Sequence, residues 1–194
     1  MPRTIEFDKQ EALFKAMVLF NEKGYAACSI QNLLDSMALN RGSLYAAFGD
    51  KRTLYIEALN LYEQLSIDGF EGFLASGDSP IQNIRTFFDL AFLGLTEEQL
   101  RVGCFFVNTI VEMTDIDQDL VDTAGSKLDR LETALENALK RAQKIGELSN
   151  DKDPVELSRY LGSIIKGLRI TCKQTQDKEI ISSIIETALT VLEN

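Results

Sequence analysis

Apolar residues recur at helical spacing along nearly the whole chain, and the interruptions mark where each helix stops. Leu13, Ala16, Met17 and Phe20 form an i, i+3, i+4, i+7 stripe behind Asp8, a residue suited to capping a first turn. Gly24 follows Lys23 and reads as the glycine just past a helix end. Ser29 caps a second stripe of Ile30, Leu33, Leu34 and Met37, and Asn40 caps a third, short helix in which Leu44 and Phe48 point inward. Asp50 starts a longer helix with Leu54, Ala58, Leu61, Tyr62 and Leu65 along one side. Beyond residue 66 the helices become longer and more apolar. Ser79-Pro80, the Thr96/Gln99 pair and Asp153-Pro154 with Glu156 all read as helix starts. The pattern predicts helices at 51–75, 80–95, 98–113, 118–145, 154–173 and 177–193, with Gly146 ending the longest. The fold class is therefore all-α, with a three-helix head over residues 6–66 and a larger helical body over 67–194, bridged by the fourth helix.

The short third helix, Arg41 to Phe48, is the unusual element. Once Leu44 and Phe48 are buried, its outer face carries Asn40, Arg41, Ser43, Tyr45 and the small Ala46 and Ala47. Arg41 opposes the helix dipole near its positive end, at a cost of a few tenths of a kcal/mol (~0.3). Lys51 and Arg52 repeat the violation at the next helix start. Free backbone N–H groups beside a cation make an anion site, and a DNA phosphate fits it. Gly42 lets the backbone approach closely, and Ala46 or Ala47 suits a thymine methyl. This is the layout of a helix that enters a DNA groove.

Composition changes the picture in three places. The formal net charge of −10 argues against nucleic acid until the chain is divided. Residues 1–52 hold seven Lys/Arg and six Asp/Glu, leaving 13 and 24 to the rest, so the head is near +1 and the body near −11. A local cationic edge on an acidic body grips phosphates and limits nonspecific adhesion. The chain has no histidine, which removes His-based acid–base chemistry, the Ser-His-Asp triad and most zinc sites. Its three cysteines, Cys28, Cys104 and Cys172, are odd in number and far apart, so reduced thiols are expected and neither a disulfide framework nor a metal site is. A polar N-terminus and the lack of any apolar run long enough to span a bilayer point to a cytoplasmic protein that meets no membrane. Without histidine, and with no nucleophile–base or metal constellation in the sequence, the chain is expected not to be an enzyme and to use no cofactor.

With these residues in place, the segment 8–62 resembles the TetR family of transcriptional regulators. The resemblance is carried by Gly24-Tyr25, Ser29, Arg41-Gly42-Ser43-Leu44-Tyr45, Phe48 and Lys51 at the family's spacing. It implies a helix-turn-helix head in which Ser29, Tyr45 and Lys51 contact phosphates, while Asn40, Arg41, Gly42, Ser43 and Ala46 face bases. Two departures stand out: Ala38 occupies a turn position where glycine is common, and Cys28 one where threonine is usual.

The resemblance further implies a homodimer on a palindromic, double-stranded operator, most simply a repressor released by a small-molecule inducer. The dimer face expected on the last two helices comprises Leu161, Ile165, Leu168, Ile181, Ile184, Ile185, Ala188 and Leu192. Seven phenylalanines fall between Phe70 and Phe106, where the family resemblance implies the inducer cavity. Gln64, Phe88, Phe92, Cys104, Asn108 and Glu112 are its candidate lining, with Glu112 suited to a cationic ligand. The Gly103-Cys104-x-x-Val107-Asn108 run also resembles a branch of the family that includes electrophile- and oxidant-responsive repressors. That leaves open a switch by oxidation or alkylation of Cys104, whose thiol would be activated by a helix start and by Arg101. A helical protein-interaction adaptor is the remaining alternative.

Overall fold

A computed structural model describes residues 7–193; residues 1–6, on which the expectation about the N-terminus rests, and Asn194 lie outside them. All its regular elements are helical. The head comprises α1 (Lys9–Lys23), α2 (Ile30–Met37) and α3 (Arg41–Phe48), and α4 (Lys51–Ala75) leaves it to enter the body. The body continues with α5 (Pro80–Phe88), α6 (Glu97–Val102), α7 (Phe105–Met113), α8 (Gln118–Lys144), α9 (Pro154–Gln174) and α10 (Lys178–Leu189). No helix among these residues is long and apolar enough to cross a membrane.

Local chemistry explains the boundaries. Asp8, Ser29, Asn40, Asp50, Ser79, Thr96 and Asp153 each accept a backbone N–H of the first turn of α1, α2, α3, α4, α5, α6 and α9, satisfying donors the helix cannot. Thr96 and Gln99 complete a reciprocal capping box. Three predicted ends were misplaced. The helix expected over 98–113 is two, because Gly103 adopts φ +80° and stops α6, and Cys104 then stands at the start of α7. The helix expected to reach 95 widens after Phe88 into a π-helical turn, Asp89–Leu93. The last helix gives way after Leu189 to a 3-10 turn, Thr190–Leu192.

Packing follows the apolar stripes. α1 lies against α4, and α4, α7 and α9 all pack on α8, the longest helix. Phe20, Leu54, Tyr55, Phe105 and Phe106 close the junction between head and body, with Tyr55 meeting Phe20, Tyr25 and Phe105 edge to face. On the outer side, α4 and α8 are joined by charge. Glu63 accepts from Lys127 at 2.5 Å and from Arg130 at 2.6 Å, and Arg130 also reaches Asp68 and Glu71.

One assignment from the sequence is overturned by the packing. Leu161, Ile165, Leu168, Ile181, Ile185, Ala188 and Leu192 are buried within a single chain, and of the expected dimer face only Ile184 stays partly open. The most apolar stripe of each helix faces its own core, because that is where the water-exclusion energy is largest. The opposite faces of α9 and α10 carry Tyr160, Ser163, Gly167 and Ile170, and Ile180, Ser183 and Thr187, all exposed.

Candidate nucleic-acid interface and ligand cavity

The head presents α3 outward. Leu44 and Phe48 are 0% and 2% exposed, and with those two anchors in the core the remaining face has no choice but to look out. Asn40, Arg41, Gly42 and Ala46 are exposed, Tyr45 is 41% exposed, and Ser43 is half-buried. Ser29 is exposed at the start of α2, where its hydroxyl is paired with Asn32. Asn40 Oδ1 accepts from the Ser43 N–H, which leaves its amide donors pointing away from the helix. A Cβ on Gly42 would stand 3.3 Å from that same oxygen, so the glycine keeps the cap open as well as the surface flat.

Two of the three unusual cations serve the chain itself. Lys51 Nζ donates to the Tyr25 carbonyl and lies 4.3 Å above the Tyr25 ring, so it holds the α1–α2 turn. Arg52 is not free for a phosphate: it donates to Asp117 at 2.7 and 3.0 Å and to Asp119 at 3.1 Å, tying the start of α4 to the start of α8. The Arg52 guanidinium in turn holds the Asp117 carboxyl below its ordinary range. Only Arg41 of the three projects unpaired into solvent among the described residues. Ala38 takes the left-handed conformation, φ 55° and ψ 40°, that a glycine would adopt freely. Cys28 is buried behind the turn, and burial pushes its thiol pKa up.

Two of the residues expected to line a pocket, Glu112 and Asn108, join the head to the body. Glu112 accepts the backbone N–H groups of Tyr25 and Ala26 at 2.8 Å each, a carboxylate clasp from α7 onto the turn that aims α2 and α3. Gly24 makes room for it: its φ is +80°, and a Cβ there would stand 2.6 Å from the Glu112 carboxylate. Asn108, one turn earlier on α7, donates to Asn21 Oδ1 of α1 at 3.0 Å and to the Val102 carbonyl at 2.9 Å. Lys173 of α9 completes that junction by donating to Val102 O and Asn108 Oδ1. Thr109 shares a buried hydrogen bond of 2.7 Å with Tyr55 of α4. Residues 108, 109 and 112 thus make α7 the element that grips the head. None of them was assigned that role from the sequence, since Tyr25, Ala26, Asn21 and Tyr55, the partners they grip, each lie more than fifty positions away.

A cavity of about 480 Å³ does exist, within the usual range for small-ligand sites. It opens between α1 and α4 on one side and the π turn, α6 and α9 on the other. Met17 and Asn21 of the head line it together with Tyr62, Phe70, Leu90 and Arg169. Leu65, expected on the buried side of α4, is instead 59% exposed at its rim. A narrow void of about 30 Å³ continues inward past Tyr62 and Arg169 to Phe87 and Cys104. Phe92 lies under the Arg169 guanidinium, 4.6 Å from ring centre to cation, and Phe88 packs in the core beneath. Gln64 faces a different groove, on the outer side of α1 and α4. Cys104 is buried at the start of α7, while Arg101 is exposed on α6. No group of side chains among the described residues could hold a metal ion.

A trihelical head that exposes one short polar helix, rigidly continued by α4 into a helical body with an internal cavity, defines a one-component DNA-binding regulator. The chain belongs to the TetR family: residues 10–58 match the tetR family of bacterial regulatory proteins, and residues 80–188 match the tetracyclin repressor-like C-terminal domain. It is 30% identical, over the whole length of both chains, to the HTH-type transcriptional regulator YezE of Bacillus subtilis (strain 168). It is 27% identical to the HTH-type transcriptional repressor ComR of Escherichia coli (strain K12), covering 94% of this chain and 88% of that one. Among solved structures, the TetR family regulator CifR, as a cysteine mutant in complex with 26-bp operator DNA, superposes with a TM-score of 0.86 at 24% identity, over 97% of this chain and 98% of that one. The protein is a DNA-binding transcriptional regulator.

Proposed function

We propose that the chain is a homodimeric repressor that binds a palindromic operator through residues 6–66 and is released when a small molecule enters the body, residues 67–194. The observation that carries this reading is the cavity's mixed wall. Met17 and Asn21 belong to the head, whereas Leu90, Gly103 and Arg169 belong to the body. A ligand filling that space bears directly on α1, and on the Asn21–Asn108 contact beside it. Displacing α1 shifts the turn held by Glu112 and Lys51, and with it α3. A ligand that prefers the displaced arrangement moves the population away from the DNA-binding one.

On the operator, Arg41, Tyr45 and the Asn40 amide reach bases or phosphates, Ser29 meets a phosphate, and Gly42, Ser43 and Ala46 allow close approach. Lys51 acts mainly by fixing Tyr25 in place. The dimer face runs over Tyr160, Gly167 and Ile170 of α9 and Ile180 and Thr187 of α10, the outward stripes where small residues permit helix contact. Two copies then match two half-sites.

The test is operator selection from a random DNA pool with the purified chain, followed by fluorescence anisotropy on the selected site. Arg41→Ala should weaken binding by about tenfold and lower the salt slope by about one. Unchanged affinity and slope, or selection of no palindrome, would refute the reading.

A further inference from the structure

We propose that the cavity ligand is an organic monocarboxylate with an apolar body, held at its carboxylate by Arg169. This deepens the inducer reading above, on which it rests. Arg169 is half-buried in the cavity wall and is the cavity's only cationic side chain. No carboxylate among the described residues lies within ion-pairing distance of it, and none of its N–H groups has a protein acceptor there. Its guanidinium instead stacks on the Phe92 ring, 4.6 Å away. Stacking occupies the face of a guanidinium and leaves its edge, where the N–H donors form a fork matched to a carboxylate.

The remaining walls agree with such a ligand. Tyr62 lines both the cavity and the narrow void behind it, where its phenol meets Cys104, and adds an aromatic wall beside Arg169. Phe70 and Ala91 supply apolar surface, and Val18, Leu65 and Leu90 expose theirs at the mouth. Three exposed large apolar side chains around one opening are placed to cover a hydrocarbon body. The acidic members of the lining, Glu22 and Glu98, are exposed at the rim, so they face water while Arg169 sets the charge inside. A cationic ligand is repelled by Arg169, and a dianionic phosphate calls for more than one cation. The backbone adds a further sign of a built site. The π-helical turn Asp89–Leu93 places Leu90 and Ala91 in the wall and Phe92 beneath Arg169, and such turns concentrate at functional sites.

The experiment uses the purified full chain with octanoate, decanoate, benzoate, phenylacetate and cinnamate, each beside its primary amide. Thermal unfolding reads binding, and anisotropy on the selected operator reads release. At least one acid should raise the melting temperature in a dose-dependent way while its amide does not. Arg169→Met should weaken that acid by about tenfold to a hundredfold, the loss expected for one charge-assisted pair. Arg169→Lys, which keeps the charge without the fork, should fall in between. The proposal is overturned if no acid protects, if amides protect as well as acids, or if Arg169→Met binds the acid unchanged. The acid–amide comparison needs no variant, so a poorly folded Arg169→Met leaves it decisive. An acid that binds without releasing DNA supports the ligand class and rejects the release mechanism instead.

Discussion

The face of α3 and the cavity beneath α1 place their working side chains at opposite ends of the burial scale. On α3 Leu44 and Phe48 are buried while Arg41, Gly42, Tyr45 and Ala46 are exposed within one run of eight, so function and fold use largely separate positions. In the cavity, half-buried residues such as Asn21 of α1, Tyr62 and Phe70 of α4, Val102 of α6 and Arg169 of α9 do both at once. A reader of DNA needs a convex, solvated surface whose contacts are completed by its partner. A sensor needs concave walls that exist before the ligand arrives. Between them lies a third environment, the polar joint of Glu112, Asn108 and Thr109 with the head.

The largest effect should come from attacking the joint. Gly24→Ala combines a positive φ with a Cβ 2.6 Å from the Glu112 carboxylate. It should cost about 3 kcal/mol in chemical denaturation and weaken operator binding as well. A loss confined to stability would mean that head orientation does not depend on the joint. Glu112→Ala removes the acceptor of two backbone N–H groups without touching the reading face. It should cost about 2 kcal/mol. Glu112→Gln, which retains one acceptor oxygen, should cost less, and equal costs for the two would reduce the clasp to simple packing.

Smaller changes separate the regions. Ala38→Gly relieves a left-handed residue in the head alone and should stabilise by about 0.5–1 kcal/mol, leaving the response to cavity ligands untouched. The smallest effect is in the body. Burial pushes the Glu63 carboxyl up, but hydrogen bonds from Lys127 and Arg130 more than offset it, so its pKa is lowered from 4.5. Stability from this group is therefore complete above about pH 4.5 and is lost as the pH falls through the depressed value. Urea midpoints measured on acidification should drop less steeply for Glu63→Gln than for the parent chain.

The same contrast decides what was legible in the sequence. The caps at Ser29, Asn40 and Asp50 and the outward face of α3 are local, so spacing alone reveals them. The apolar run through Leu100, Cys104, Phe105 and Phe106 hid the break at Gly103, although the same glycine signal was recognised at Gly24 and Gly146. For α9 and α10 the strongest stripe was assigned to a partner when it serves the chain's own core, and the true outer stripe is weaker because Ser163, Gly167 and Ser183 dilute it. Arg169 carries no sequence signal, since an arginine at helical spacing resembles any solvated one. Neither does the pairing of Glu112 with Tyr25 and Ala26 or of Arg52 with Asp117, because contacts across that much chain appear only once the helices are packed.

The Glu112 clasp also bears on how such a chain can be taken apart and recombined. Two amides of the α1–α2 turn are completed by a carboxylate from α7, so the head carries an unfilled socket wherever it is moved. A head grafted onto another body should therefore aim its reading helix correctly only where that body offers an acid at the same height. The unit to exchange is the head together with α7, and a chimera joined in the middle of α4 should be repaired by restoring that one side chain.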